Sequence, residues 1–384
     1  MNTRLVVAFS LLGILLMPIA LPGAVAWRAD GWLSQDVVGG ERLRHGDEFG
    51  CHGMPGKNVN TDLSVISECK DYLTSQINAS KWGSEPLSFG LPDGVIESEK
   101  MDALMDEGFL IVGGNELQPQ NNSSDTLEII EQSGGSLEKN IASVDAIQTG
   151  INEHGYANLY WEAQIEDLNV RRDKDVLEWI ESQNYWFTTW GEFHSAGERA
   201  AERIDNPPEW DERHMYLIGS APSEGFWPVP GTTNLTIFDE NNAIQGINRV
   251  DGLPFPELDT SDHHLQVGYR VTNSDKTIYL TIPEGVEVRI TFISPPDDAL
   301  IRGDHFNGMT PFMVTGHHTT DLFEWSSPFQ DSPLRFTWLI EPQEDIEPSW
   351  ILLAVALLTI LAVPAAVWFT LKKERERQNP EMED

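Results

Sequence analysis

Basic side chains are scarce in this sequence. Only 25 lysines and arginines stand against 61 aspartates and glutamates, and the formal net charge is −36. A surface with this excess of negative charge repels the phosphates of nucleic acids and anionic lipid headgroups. The acids are spread along the chain, which favours adaptation to salt over a dedicated cation-binding surface. We therefore expect no nucleic-acid partner.

Cysteine is almost absent, with Cys51 and Cys69 as the two examples. In an exported chain such a pair is typically joined as a disulfide, which would contribute about 3 kcal/mol by restricting the unfolded state. The alternative is a reactive thiol at Cys51 beside His52, which requires a reducing environment. The sequence favours the disulfide.

The common catalytic signatures are also missing. The sequence has no G-x-S-x-G, H-E-x-x-H or G-x-G-x-x-G motif and no D-x-[DN]-x-[DN]-G calcium loop. Gly56-Lys57 is followed by Asn58, where a P-loop needs Ser or Thr to hold magnesium. A hydrolase built from two distant carboxylates stays open, because so acidic a chain offers many pairs. No particular cofactor is indicated.

Long apolar runs occur only near the two ends. Arg4, the apolar run Leu5–Leu16 and the A-x-A sequence Ala24–Ala26 are typical of a cleavable signal peptide, with an uncleaved anchor as the alternative. The run 350–371 contains no charge and is followed at once by Lys372 and other basic residues. This pattern predicts one transmembrane helix with a cytoplasmic C-terminus and the preceding chain outside the cell.

Asparagines in Asn-x-Ser/Thr sequons are compatible with glycosylation of an exported chain. They are Asn78, Asn121, Asn122 and Asn234.

Helical spacing dominates the first half of the chain. Leu63, Ile66, Cys69, Leu73 and Ile77 form one apolar face. Three further helices are predicted around 96–105, over 137–147 with Ser136 as N-cap, and over 173–182.

Alternation with period two dominates after His214. Thr277–Ile282 and Val286–Phe292 both alternate, and the Pro-Glu-Gly turn signal between them predicts a β-hairpin. Further strands are predicted at 234–238, 265–271, 311–315 and 334–340. Short strands between Pro, Gly and Asp turns are typical of a β-sandwich.

These patterns predict an α+β protein with an N-terminal mainly helical domain, a C-terminal β-sandwich-like domain and a single transmembrane helix. The predicted segments are a signal peptide at 1–26, an irregular segment at 27–60, the helical domain at 61–206, the sandwich-like domain at 207–345, the transmembrane helix at 350–371 and a tail at 372–384.

Histidines are the best candidates for a metal site. His264, His305 and His317 all fall in the predicted sandwich, and imidazole with nearby carboxylates suits zinc or copper(II). Their spacings match no known motif, and solvated loop histidines are the more ordinary interpretation.

Aromatic side chains suggest a second possibility. Trp179, Trp186, Trp190 and Phe193 would share one side of a helix that continued through Tyr185. Exposed, they could stack on sugar rings, whereas buried they would be core. The helical spacing favours burial.

The segments Leu322–Pro328 and Leu334–Ile340, followed directly by the apolar run, loosely resemble uncharacterised archaeal surface proteins. In those proteins an extracellular β-domain leads into one membrane helix. The resemblance implies this architecture and no functional residue.

Three classes of function remain from the sequence. The favoured one is a membrane-anchored surface protein whose ectodomain is a non-catalytic binding or structural module. The alternatives are an accessory subunit of a membrane complex, with an envelope or membrane-protein partner, and an extracellular metal-dependent hydrolase.

Overall fold

The computed structural model describes residues 33–34, 36, 38–91, 98–114, 127–137, 142–161, 174–205, 209–238, 244–272, 277–296, 299–304, 306–317, 331–342 and 350–378. The chain divides into two compact units, Met1–Gln343 and Glu344–Asp384. Every residue discussed as a functional candidate below belongs to the first unit.

The helices are α1 Val38–His45, α2 Ser64–Gln76, α3 Ser98–Asp106, α4 Val144–His154, α5 Lys174–Ser182, α6 Trp190–Asp205 and α7 Trp350–Gln378. The strands are β1 Glu48–Cys51, β2 Ser88–Gly90, β3 Ile111–Gly114, β4 Glu128–Glu131, β5 Ala157–Trp161, β6 Tyr185–Phe187, β7 Glu209–Asp211, β8 His214–Ile218, β9 Thr232–Ile237, β10 Ile244–Arg249, β11 Gly268–Thr272, β12 Thr277–Thr281, β13 Glu287–Phe292, β14 Ala299–Asp304, β15 Thr310–His317 and β16 Phe336–Ile340.

A parallel sheet forms the centre of the first unit. Its strand order is β4-β3-β2-β1-β16-β15-β5, and β6 pairs with β15 outside this path. Beyond β4, Ser133 and Ser136 form isolated bridges to Asn158 and Tyr160 of β5. The two edges of the sheet therefore nearly meet, and the sheet is barrel-like. The central neighbours β1 and β16 come from opposite ends of the sequence.

Both faces of this sheet are buried. On one face Phe49, Phe89 and Trp338 belong to a core cluster that includes side chains of α2, such as Val65 and Leu73. The opposite face, which we call the α6 face, packs against Trp190, Phe193 and their neighbours; its strand residues include Ile111, Ile130, Met313 and Leu339. Parallel strands covered on both faces are apolar at most positions and show little alternation.

Two antiparallel four-stranded sheets are inserted between α6 and β15. Their orders are β10-β13-β8-β7 and β11-β12-β9-β14. A separate apolar cluster with Leu217, Leu235, Ile278 and Ile290 lies between them. β12 pairs with β9 and β11, whereas β13 pairs with β8 and β10. The predicted hairpin of β12 and β13 is therefore wrong, because its two strands enter different sheets.

The predicted fold class is wrong as well. The chain does not consist of an N-terminal helical domain followed by a C-terminal sandwich, since β15 and β16 leave the antiparallel sheets and complete the parallel one. Their apolar sequences are equally suited to a sandwich and to a buried parallel strand. The first half also contains short strands of three to five residues, β1, β2 and β5 among them, which its helical spacing concealed.

Helix prediction succeeded best for α2, in which the predicted Ile66, Cys69 and Leu73 are buried, while the predicted Leu63 and Ile77 are the cap residues at its two ends. The helix predicted over 137–147 begins later, at Val144, with Ser143 as the N-cap that accepts a hydrogen bond from the backbone of Ala146. Ser136 instead bridges to β5. Ser136, which the local sequence predicted as a helix cap, is therefore used in a tertiary strand pairing instead.

In the part of the chain that the structure describes, no helix is both long enough and apolar enough to cross a bilayer. The described side chains of α7 lie between Leu358 and Arg375, and its charged end begins at Lys372. The described apolar stretch is thus shorter than the ~20 residues of a span. This finding contradicts the predicted single-pass helix over 350–371 and the membrane localisation based on it.

Three other predictions fall on residues that are not described. The signal peptide at 1–26 lies outside the described residues, as do Asn121, Asn122 and His305.

Candidate functional site

The carboxyl ends of the central strands bring a histidine and a carboxylate together. Cys51 of β1 pairs with Ile340 of β16. The ladder extends one step further, because the backbone N–H of His52 donates to the carbonyl of Ile340 at 2.9 Å. His52 and Glu341 therefore occupy the next positions on two adjacent strands, at the edge where ligands of parallel sheets commonly bind.

The imidazole of His52 is held firmly. It is 3 % exposed, and its Nδ1 lies 2.9 Å from the carbonyl oxygen of Gly90. A carbonyl oxygen only accepts hydrogen bonds, so Nδ1 is the donor in this contact. A Cβ on Gly90 would lie 3.0 Å from Nδ1 and 2.4 Å from Leu339 Cδ1. Glycine at the end of β2 thus makes room for the ring.

Glu341 lies beside this histidine and is half-buried. A Cβ built on Gly53 would be 4.0 Å from Glu341 Cδ, so the carboxyl group lies over the chain that follows His52. An imidazole and a carboxyl group at adjoining strand ends offer the kinds of groups that bind a cation or the polar groups of a small molecule.

The predicted disulfide between Cys51 and Cys69 is confirmed. It joins the end of β1 to α2, and Cys69 Sγ lies 3.7 Å from the carbonyl oxygen of Ile340. Cys51 and Ile340 immediately precede His52 and Glu341. The disulfide therefore anchors both strand ends from the opposite face of the sheet.

A second polar arrangement crosses the middle of the α6 face. Glu48, Thr337, Thr315 and Tyr160 are register neighbours on four adjacent strands. All four are fully buried. The N-terminus of α6 packs on this row, because the backbone N–H of Gly191 donates to Glu48 Oε2 at 2.7 Å and that of Trp190 donates to Thr337 Oγ1 at 3.0 Å. The row satisfies backbone donors that the first turn of a helix leaves unpaired.

Burial raises the pKa of Glu48 to about 6. The hydrogen bonds from Ser88 and Gly191 lower this pKa, but their effect is smaller than that of burial. Its neighbour Glu192 accepts a hydrogen bond from Trp82 Nε1 at 2.7 Å, and its backbone N–H donates to Thr189 Oγ1. Both carboxylates are thus enclosed by donors of the protein. The sequence T-x-x-E at 189–192 is a capping-box signal that would have located the start of α6.

A third polar cluster lies at the amino end of β1. Asp47 is fully buried and accepts hydrogen bonds from Arg42 Nε at 2.6 Å and Trp338 Nε1 at 2.7 Å. Burial alone would raise its pKa, but the charge of Arg42 and the hydrogen bond to His45 outweigh burial and lower it. This cluster ties α1 to the start of β16 and is structural.

The histidines predicted as metal ligands do not converge. His264 Nε2 lies 2.7 Å from the carbonyl oxygen of Pro333, which precedes the amino end of β16. His317 is the last residue of β15, at the carboxyl end of the same sheet. Within the described residues no group of three or more His, Cys, Asp or Glu side chains is arranged to hold a metal. His264 and His317 are therefore at opposite ends of the parallel sheet.

Of the four aromatic residues, Trp186, Trp190 and Phe193 are core, whereas Trp179 is half-buried and packs against the core. Trp186 and Trp190 are fully buried, and Phe193 is 7 % exposed. They do not share one helix, because Tyr185–Phe187 forms β6 before α6 begins. Trp190 donates from Nε1 to Asn158 Oδ1 at 3.1 Å. Stacking on sugars is therefore not available to the three buried rings.

The described sequons differ in exposure. Asn78 follows α2 and is exposed, whereas Asn234 lies in β9 and is half-buried.

No protein-family model, curated protein or solved structure matches the chain. The resemblance to archaeal surface proteins therefore stays a prediction.

Proposed function

We propose that the protein is a non-catalytic binding protein that holds a small polar ligand at the carboxyl edge of β1 and β16. One observation carries the proposal: His52 and Glu341 occupy adjoining positions at the ends of these two central strands. The fold brings a buried imidazole and a half-buried carboxylate together at the edge that parallel sheets commonly use for ligands.

The arrangement around the two residues supports a prearranged site. The Gly90 carbonyl fixes the His52 ring, and the Cys51–Cys69 disulfide anchors the preceding backbone. Groups held rigidly before binding lose little conformational entropy when the ligand arrives. Binding without catalysis is favoured because the described carboxyl with the most raised pKa, Glu48, is occupied by Ser88 and Gly191 inside the protein.

The test is a thermal-shift screen of the full chain against sugars, amino acids, nucleotides and divalent cations. A ligand that binds only the folded state raises the melting temperature. We expect at least one compound to stabilise the wild type and to have no effect on His52→Ala. The control is His264→Gln, at the other end of the sheet, which should respond as the wild type does. A screen without any stabilising compound, or with effects that survive His52→Ala, would overturn the proposal.

A further inference from the structure

We infer that the outer face of the antiparallel sheet β10-β13-β8-β7 binds an oxyanion, a carboxylate or a phosphate group, through the guanidinium of Arg289. This site is separate from the carboxyl edge of β1 and β16, so the inference goes beyond the function proposed above.

Arg289 lies in the middle of this sheet, on the face turned away from the apolar cluster. Its neighbours in β13, Val288 and Ile290, are fully buried in that cluster. Because successive residues of a strand point to opposite faces, Arg289 is on the outer face. Its partners on the adjacent strands are Asn248 of β10 and Tyr216 of β8. Residues directly opposite each other have their Cβ atoms about 5 Å apart, so these three side chains form one row across the sheet.

The guanidinium of Arg289 has no partner among the described residues. Its Nε is buried and makes no hydrogen bond, while its two terminal nitrogens remain accessible at the surface of the sheet. By contrast, Arg42 and Arg249 form ion pairs with Asp47 and Asp251. A buried donor without an acceptor is costly, and native proteins rarely keep one without a reason. An anion bound side-on to Arg289 would supply the missing acceptor.

Two carboxylates share this face without pairing with the arginine. Glu287 comes two residues before Arg289 in β13, and Glu209 of β7 pairs with Tyr216. Both glutamates are exposed, and water and salt screen exposed charges. None of the ion pairs within the described parts of the chain joins either of them to Arg289. The positive charge therefore stays available to an external anion, although the chain as a whole is acidic.

The chemistry of the row favours an oxyanion over a neutral ligand. Nε and one terminal nitrogen of an arginine donate two parallel hydrogen bonds to the two oxygens of a carboxylate or phosphate. The amide of Asn248 and the hydroxyl of Tyr216 are neutral donors beside them. The rings of Tyr216 and His214 lie 6.3 Å apart on the same face, which gives the remainder of an organic ligand a surface to pack against.

The experiment is a thermal melt of the full chain with increasing sodium phosphate or sodium acetate at fixed pH. Sodium chloride keeps the ionic strength constant, which removes the diffuse effect of salt on so acidic a chain. We expect at least one of the two anions to raise the melting temperature until the effect saturates, because the anion binds only the folded state. The anion that does so identifies the class of ligand.

Arg289→Met keeps the apolar stem and removes the guanidinium. It should weaken anion binding by about tenfold or more, as the loss of charge-assisted hydrogen bonds does. Without anion it should melt at or above the temperature of the wild type, because it removes a buried donor that has no partner. The matched control is Arg302→Met, at an exposed position of β14 in the other antiparallel sheet. This control should respond to the anion as the wild type does.

The inference is overturned if neither anion stabilises the wild type, if Arg289→Met responds as the wild type does, or if Arg302→Met loses the response equally. Should Arg289→Met not fold, Arg289→Lys replaces it, since lysine keeps the charge but lacks the planar fork and should also bind more weakly. His52→Ala should retain the response to the anion. The screen for the edge of β1 and β16 is accordingly read in the Arg289→Met background, so that each site succeeds or fails separately.

Discussion

Glu48 Oε2 accepts a hydrogen bond of 2.7 Å from the backbone N–H of Gly191. This contact joins the first residue of the central strand β1 to the N-terminus of α6, on the face of the sheet that α6 covers. A negative charge at a helix N-terminus is stabilised by the helix dipole. The carboxyl is also fully buried. We therefore expect stability to depend on substitution of Glu48 and on pH.

Glu48→Ala should lower the free energy of unfolding by about 2–4 kcal/mol, because it leaves buried donors of Gly191 and Ser88 without an acceptor. Glu48→Gln keeps an acceptor oxygen and should cost less. Urea denaturation measures both. Exposed Glu284→Ala is the control and should change stability little. Equal stability of Glu48→Ala and the control would show that the buried row does not hold α6 in place.

The pH dependence has a defined sign. The pKa of Glu48 is raised from 4.5 to about 6, so between these values the folded chain holds a proton that the unfolded chain has lost. The contribution of Glu48 to stability therefore falls as pH rises through this window, by roughly 2 kcal/mol at ~1.4 kcal/mol per pKa unit. Subtracting the pH–stability curve of Glu48→Gln from that of the wild type should isolate this slope. A flat difference would contradict the prediction.

The contribution of His194 to stability should change with pH in the opposite direction. Burial lowers its pKa from 6.5 to about 4, and its ring packs 5.1 Å from that of Phe226. The folded chain keeps the ring neutral, so stability present above pH 6.5 is lost as pH falls towards 4. His194→Phe should remove this loss in thermal melts taken across the window. His154→Gln, at a more exposed ring, should retain it.

The Cys51–Cys69 disulfide should leave no thiol to label when the protein is denatured without reductant. The double variant Cys51→Ala, Cys69→Ala should lose about 2–4 kcal/mol of unfolding free energy, as removal of native disulfides typically does. Denaturation with mass-spectrometric thiol counting measures both quantities. Labelling of two thiols before reduction would contradict the prediction.

Gly90→Ala should destabilise the chain by about 1–3 kcal/mol, because the added methyl group overlaps the side chains of Leu339 and His52. The matched control is Gly53→Ala, whose nearest neighbour would be 4.0 Å away at Glu341. Thermal melts should separate the two variants clearly. If both were tolerated equally, the close packing of His52 against β2 would be in doubt.

The sequence by itself determined what depends on neighbours along the chain. The apolar spacing of Ile66, Cys69 and Leu73 is enough to specify the buried face of α2, because residues three and four apart share one side of a helix. The burial of Trp186 and Trp190 and the pairing of Cys51 with Cys69 were also inferred from sequence.

Tertiary structure decided the sheets and the candidate site. The local sequence does not identify β16 as the partner of β1. Glu48 and Thr337 are far apart in the sequence, and the sequence of a short apolar strand does not specify which strand it pairs with. The same pairing brings Glu341 beside His52 and separates His264 from His317. Strand register is fixed by long-range packing of both sheet faces, so the site exists only once the parallel sheet has assembled.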